Sequence, residues 1–393
     1  MRPAFLRAGC GLALVLTAAC ASDLSGPFSA VTISYDPQAQ KFHLAQVRVA
    51  TLTSLRHLTG SSGQVRAGGS VQVKELAVLD RAATVQSLRT QSILESPGEV
   101  EISWSVLNDI AYPENYSSLE LLTAYYNVER ARASFLGDWG LATGLLPAAP
   151  LIAHARIAGD DGKTSPLPDG ELYYSPLATF YLPDTSAQLP LVFNLGAVGH
   201  ALGHQAVEEL VWGGAPVPRP ELESKSDPAW NTARHLERSL TEGLADYLGV
   251  ALTNDPRWFD YSLAQTSSAR ALDNLRCGTS DMLLALPASE ENAPYDPFPL
   301  GTVLAGALWE ASQAGVQISA KGVLASLQDL GAKELAAGGQ LGLAAALDVL
   351  VADADPSRQA SLCGLFLDRF AKLSVTGLPS CPAKVIPPAA PCR

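Results

Sequence analysis

A chain of 393 residues, 47% hydrophobic and 17% charged, can bury a large core and divides into two or three domains or subdomains, which excludes wholesale disorder. Its formal net charge of −12 argues against nucleic acid as a partner, because phosphate contacts need a basic surface. Charge says little about fold, so the elements are taken in order.

Residues 1–20 read as a targeting segment. Arg2 and Arg7 precede an apolar run, Ala8 to Ala19, that is too short to span a bilayer, and Thr17-Ala18-Ala19 leads into Cys20. This junction resembles a bacterial lipobox, which implies that Cys20 becomes the lipid-bearing first residue of a cell-envelope protein. Membrane attachment would then rest on the lipid alone. An ordinary signal peptide cut after Ala19, giving a secreted or periplasmic chain, is the alternative. If Cys20 carries lipid, the mature chain keeps Cys277, Cys363, Cys381 and Cys392, and an even number in an exported protein implies two disulfides with three connectivities open. No two of them have the close spacing of a cysteine zinc site.

Residues 21–110 read as a β-rich N-terminal domain. From Phe28 to Trp104, stretches such as "AVTISY" and "FHLAQVRVATL" alternate or run apolar between turns such as "TGSSG". The period changes over Ser117–Leu136, where Leu121, Ala124, Tyr125, Val128, Ala131 and Phe135 share one helical stripe. Leu151–Ile157 and Glu171–Tyr181 read as strands, and Leu191 to Trp212 as a long apolar helix. Gly213 to Pro228 is a loop by composition. Helices are expected over Asn231–Leu252, Leu300–Ala314, Ala320–Leu330, Leu341–Ala352 and Pro356–Lys372, before a Pro- and Cys-bearing tail, 376–393. The fold class is therefore α+β. A second domain, 111–375, places a sheet and the apolar helix in 111–212 and a helical subdomain in 229–375.

The chemistry concentrates in "GHALGHQAVEEL", Gly199 to Leu210. His200 and His204 stand at i and i+4, so both imidazoles leave the same helix face and can reach one metal ion. A catalytic zinc usually takes three protein ligands, and "TEGLADY" supplies a carboxylate on the next strongly helical segment. Glu242 and Asp246 are again i and i+4, so one can bind metal while the other orients a ligand histidine from behind. Glu208 lies two turns beyond His200, roughly 12 Å along the axis, and with Glu209 reads as a solvated helix end. Tyr173 and Tyr174 read as strand core. His43, His57, His154 and His235 are lone histidines with no assigned role.

This arrangement resembles the gluzincin metallopeptidases, particularly the thermolysin-like and fungalysin-like groups, whose H-E-x-x-H helix is followed by one carrying E-G-x-x-D. "LLTAYYNVERARASFL" is similar to their A-Y-Y-H-x-x-R-A helix, "ELYYSP" to their edge strand N-A-Y-Y-S-P, and "PLGTVLAGALWEA" to A-I-G-E-V-W-A-x-x-L-W. The similar stretches span Ser117 to Ala311. The resemblance implies a thermolysin-like domain, one zinc ion on His200, His204 and Glu242, Asp246 orienting His200, and peptide lying against the edge strand.

Three departures stand out. Ala201 occupies the place of the glutamate that takes a proton from zinc-bound water, Phe298 that of a histidine, and Glu171 that of the edge-strand asparagine. General acid–base help is worth roughly 10²–10⁴-fold, and alanine has none to give. The expectation is an exported pseudopeptidase that keeps its zinc and serves a binding or structural role, with peptide or protein in the former substrate cleft. The rivals are an active zinc peptidase with an unorthodox base and a metal-free cell-surface structural protein.

Overall fold

The computed structural model describes residues 23–36, 38–39, 41–72, 93–95, 97–158, 164–166, 173–174, 179–182, 190–212, 228–260, 270–274, 276–283, 296–314, 318–337 and 341–373. Cys20, Glu171, the loop ahead of Pro228 and the tail with Cys381 and Cys392 lie outside them.

The described strands form three sheets. In the first, β1 (Phe28–Asp36) pairs antiparallel with β2 (Lys41–Val49) over nine residues and parallel with β10 (Ile110–Pro113), which turns back on β9 (Trp104–Leu107). Asn108 and Asp109, at φ 53° and 62°, make that tight turn in the left-handed conformation these residue types tolerate. Alternation along β1 buries Ala30 and Thr32 on one face.

The second sheet runs in the order β14 (Tyr173–Tyr174), β15 (Thr179–Leu182), β11 (Pro150–Ala153), β5 (Gly63–Ala67), β4 (Thr59–Gly60), β3 (Leu52–Ser54), with β8 (Gly98–Glu99) also on β5. The third holds β13 (Thr164–Pro166), β12 (Arg156–Ala158), β6 (Ser70–Gln72) and β7 (Ile93–Glu95) in that order. Strands from both sides of position 110 thus share each sheet.

Leu151–Ile157 is not one strand. It breaks at His154, φ 56°, between β11 and β12, at the level where Gly68 and Gly69, φ 73° and 86°, divide β5 from β6. The Gly68 amide donates to Ala153 O and the Arg156 amide to Gly69 O, so both members of a parallel pair turn together from one sheet into the next.

Among the described residues, seven α-helices follow or pack between these strands: α1 (Tyr116–Ala133), α2 (Leu195–Val207), α3 (Pro228–Thr253), α4 (Phe298–Gln313), α5 (Ala320–Ala337), α6 (Leu343–Ala352) and α7 (Gln359–Phe370). The mixed sheets and helices make an α+β fold. Both α1 and α2 end in a π-helical turn, Ser134–Asp138 and Glu208–Trp212. Asn115 caps α1 by accepting the Ser118 amide at 2.8 Å. Buried Glu129 of α1 accepts the Ala50 and Thr51 amides, both at 2.8 Å, and so fastens the helix to the corner between β2 and β3.

Small residues decide how the helices cross. A Cβ on Gly203 of α2 would lie 2.9 Å from Ala245 Cα of α3, and one on Gly243 of α3 would lie 2.5 Å from Gly301 O of α4. The middle helix is therefore held at backbone contact on two sides. Farther on, Arg369 of α7, 1% exposed, pairs with Glu310 of α4 at 2.6 Å, and the Gly278 amide donates to Arg369 O at 2.7 Å. Cys277 and Cys363 are both disulfide-bonded, in keeping with their reading as staples. No described helix is long and apolar enough to cross a membrane.

Candidate metal centre

The histidine helix is aimed by two asparagines. Asn194 caps α2, its Oδ1 accepting the Gly196 amide at 2.9 Å, while its Nδ2 donates to Trp258 O at 2.5 Å. Asn127 of α1 donates through Nδ2 to Val192 O at 2.7 Å, which fixes the short turn leading into the cap. Near the far end of α2, Gln205 Nε2 donates to Pro147 O at 3.2 Å.

With α2 so placed, the sequence-expected residues meet. His200 Nε2 and His204 Nε2 are 3.0 Å apart, and they lie 3.6 and 3.5 Å from Glu242 Oε2 and Oε1. One donor atom from each of these three residues falls within 4.8 Å of the others, so the group could hold a metal ion. Asp246 Oδ1 approaches His200 Nδ1 at 2.8 Å, on the side of the ring away from Glu242, although the N–H direction is out of line for a hydrogen bond. All four side chains come from facing turns of α2 and α3, the pair of helices held close by Gly203.

Electrostatics follow from burial and crowding. Burial, then the neighbouring His204, lowers the pKa of His200 despite Asp246. For His204 burial pulls the same way, but the Glu242 carboxylate outweighs it and the pKa is raised. Burial would raise Glu242; His204, His200 and Arg270 instead bring it down to about 2, so it is a carboxylate at neutral pH. Its Oε2 is buried and has no hydrogen-bond partner.

Arg270 belongs to the site and has no counterpart in the sequence reading. Its Nη2 lies 2.5 Å from Asp246 Oδ1 and 3.7 Å from Glu242 Oε2. The guanidinium is stacked between two rings, 3.9 Å from Phe259 and 4.1 Å from Phe298. Phe298 is thus the outer leaf of a sandwich and remains 39% exposed. An isolated arginine carries no spacing signal; the nearest hint was an aromatic residue, Phe298, where a polar one was expected.

Two further placements matter. Ala201, 1% exposed, stands between His200 and His204 in the chain, with its methyl packed in the core. Glu208 is not a solvated helix end: it is 8% exposed, and Tyr173 OH of β14 donates to its Oε2 at 3.3 Å. The π-helical turn that begins at Glu208 turns this carboxylate toward the edge strand instead of solvent. His57 and His235 bond backbone carbonyls, Val100 O at 3.1 Å and Leu283 O at 2.8 Å.

The chain matches no protein-family model, and no curated protein matches it significantly.

Proposed function

We propose that this protein is a zinc-binding pseudopeptidase of the cell envelope, with a thermolysin-like domain and a lipid on Cys20. The observation that carries the reading is the convergence of His200, His204 and Glu242, with alanine next to the first of them in the chain. Two imidazole nitrogens and one carboxylate oxygen suit zinc, whereas calcium and magnesium prefer oxygen throughout. The residues fit such an ion: Glu242 Oε2 is buried and ionised and accepts no hydrogen bond, so a cation between it and the two imidazoles would complete it. When bound, zinc would lower the pKa of a water and polarise a carbonyl.

What the chain adds is holding without proton transfer. His200, His204 and Glu242 would supply three ligands, and Asp246 together with Arg270 would keep His200 and Glu242 oriented. Ala201 has no group to accept a proton. Phe298 offers no donor to a developing oxyanion, a loss worth roughly another 10²–10³-fold. The edge of β14, where Tyr173 meets Glu208, is the place we assign to a peptide or protein ligand. Binding or structural support is then the remaining role.

Elemental analysis and a peptide-cleavage assay on parent and Ala201→Glu protein test this reading. About one zinc per chain and no cleavage above a chelator-treated control are expected of the parent. Because Ala201 is buried, the variant's melting temperature is measured alongside, and weak chelator-sensitive cleavage is expected from folded material. Chelator-sensitive cleavage by the parent supports the active-peptidase rival. Absence of zinc, even after titration, supports the metal-free one.

A further inference from the structure

Beside α3, on a different face from Glu242, lies an open cleft of about 540 Å³. Tyr247 is five residues past Glu242, about 140° round the helix, so the two sites look out from different faces. The cleft is lined by Tyr247 and Asn254 at the end of α3, Trp309 and Gln313 at the end of α4, and Ser319 ahead of α5. Its volume falls within the roughly 300–1,000 Å³ of small-molecule sites.

None of the described lining residues is charged. Both α3 and α4 end here, at Thr253 and Gln313, and the carbonyl ends of helices repel anions and accept hydrogen bonds from donors. With no carboxylate in the lining, a cation would find only partial charges. A purely apolar ligand would strand the amides of Asn254 and Gln313, which have no hydrogen-bond partner among the described residues and stand exposed. Some polar capacity is already committed. Tyr247 OH donates to Ile318 O at 2.6 Å, leaving its lone pairs to accept, and Ser319 Oγ accepts the Gly322 amide at 3.1 Å, leaving its proton to donate. What remains is two planar amides, hydroxyl groups that can donate or accept, and an indole.

We infer that this cleft is a binding site for a neutral saccharide. Planar amides pair with vicinal hydroxyls of a sugar as donor and acceptor at once, while the electron-rich indole face attracts the polarised C–H groups of a pyranose. The site owes nothing to the metal centre, so it stands or falls separately from the pseudopeptidase reading.

Calorimetric titration of the purified full chain with maltotriose, cellotriose and tri-N-acetylchitotriose, each to about 10 mM, tests it. At least one sugar binds with a Kd in the millimolar range or tighter. Trp309→Ala weakens that binding at least tenfold. Because Trp309 is partly buried, the exposed pair Asn254→Ala/Gln313→Ala provides a second arm: it weakens binding several-fold with an unchanged melting temperature. Adding chelator leaves the affinity as it was. No heat with any of the three sugars overturns the inference. So does binding that survives both sets of substitutions, that disappears with chelator, or that choline or acetate supports and sugars do not.

Discussion

Gly203→Ala separates the geometry of the metal centre from the stability of the fold. The added Cβ would stand 2.9 Å from Ala245 Cα and 3.3 Å from Ala245 Cβ. Carbon atoms rest at about 3.5–4.0 Å, so α2 and α3 must part locally by about 0.6 Å or more. Backbone cannot rotate out of the way as a side-chain tip would. Metal ligands tolerate roughly 0.2 Å, and here the ligands are divided between the two helices that move. Overpacking of this kind costs about 1–3 kcal/mol, and zinc affinity should fall on the order of 10–100-fold, the penalty seen when ligand support is disturbed. Competitive titration against a fluorescent chelator gives the affinity, and denaturant unfolding in the same buffer gives the stability. Gly199→Ala is the graded comparison, because its nearest neighbour is the flexible tip of Leu252 at 2.8 Å. Gly144→Ala, with nothing within 4 Å, is the control. Parent-like zinc affinity in Gly203→Ala, at any stability, would refute the claim that close helix contact sets the ligand geometry.

Three other outcomes are expected. Arg270→Gln removes one member of a buried charge cluster and should destabilise the metal-free protein by about 3–5 kcal/mol in urea unfolding, with a smaller deficit once zinc is added. Glu242 has a folded pKa of about 2 against an ordinary 4.5, so its ionic contribution is present above 4.5 and disappears as pH falls toward 2. The stability gap between metal-free parent and Glu242→Gln should accordingly narrow over that window when melting is followed at a series of pH values. Finally, the parent should partition into detergent and Cys20→Ser should stay in the aqueous phase; equal partitioning of the two would remove the lipid anchor from the proposal.

Much of this architecture can be read from spacing. The stripe of Leu121, Ala124, Tyr125 and Val128 does mark a helix, and the two i,i+4 pairs do face one another, because a helical period fixes which side chains share a face. Reading fails where a residue's environment comes from distant chain. Leu151–Ile157 has strand composition throughout, yet a left-handed His154 and two distant glycines split it between sheets. Glu208 looks solvated by sequence, and its burial depends on a π-helical turn and on Tyr173 from another element. Arg270 joins the site because Phe259 and Phe298, from either side of it in the chain, close on its guanidinium. No local pattern could announce that.

Asn127 and Asn194 tie the start of the histidine helix to α1 and to Trp258 through bonds that involve no ligand atom. These supports therefore need no ion, unlike those of small domains whose folding free energy is metal-binding free energy. Such independence changes what mutation can do over generations. On the proposed reading, a change of residue at position 201 touches none of these supports, so proton-handling chemistry would be shed in a single step while the shape survives to be selected for something else.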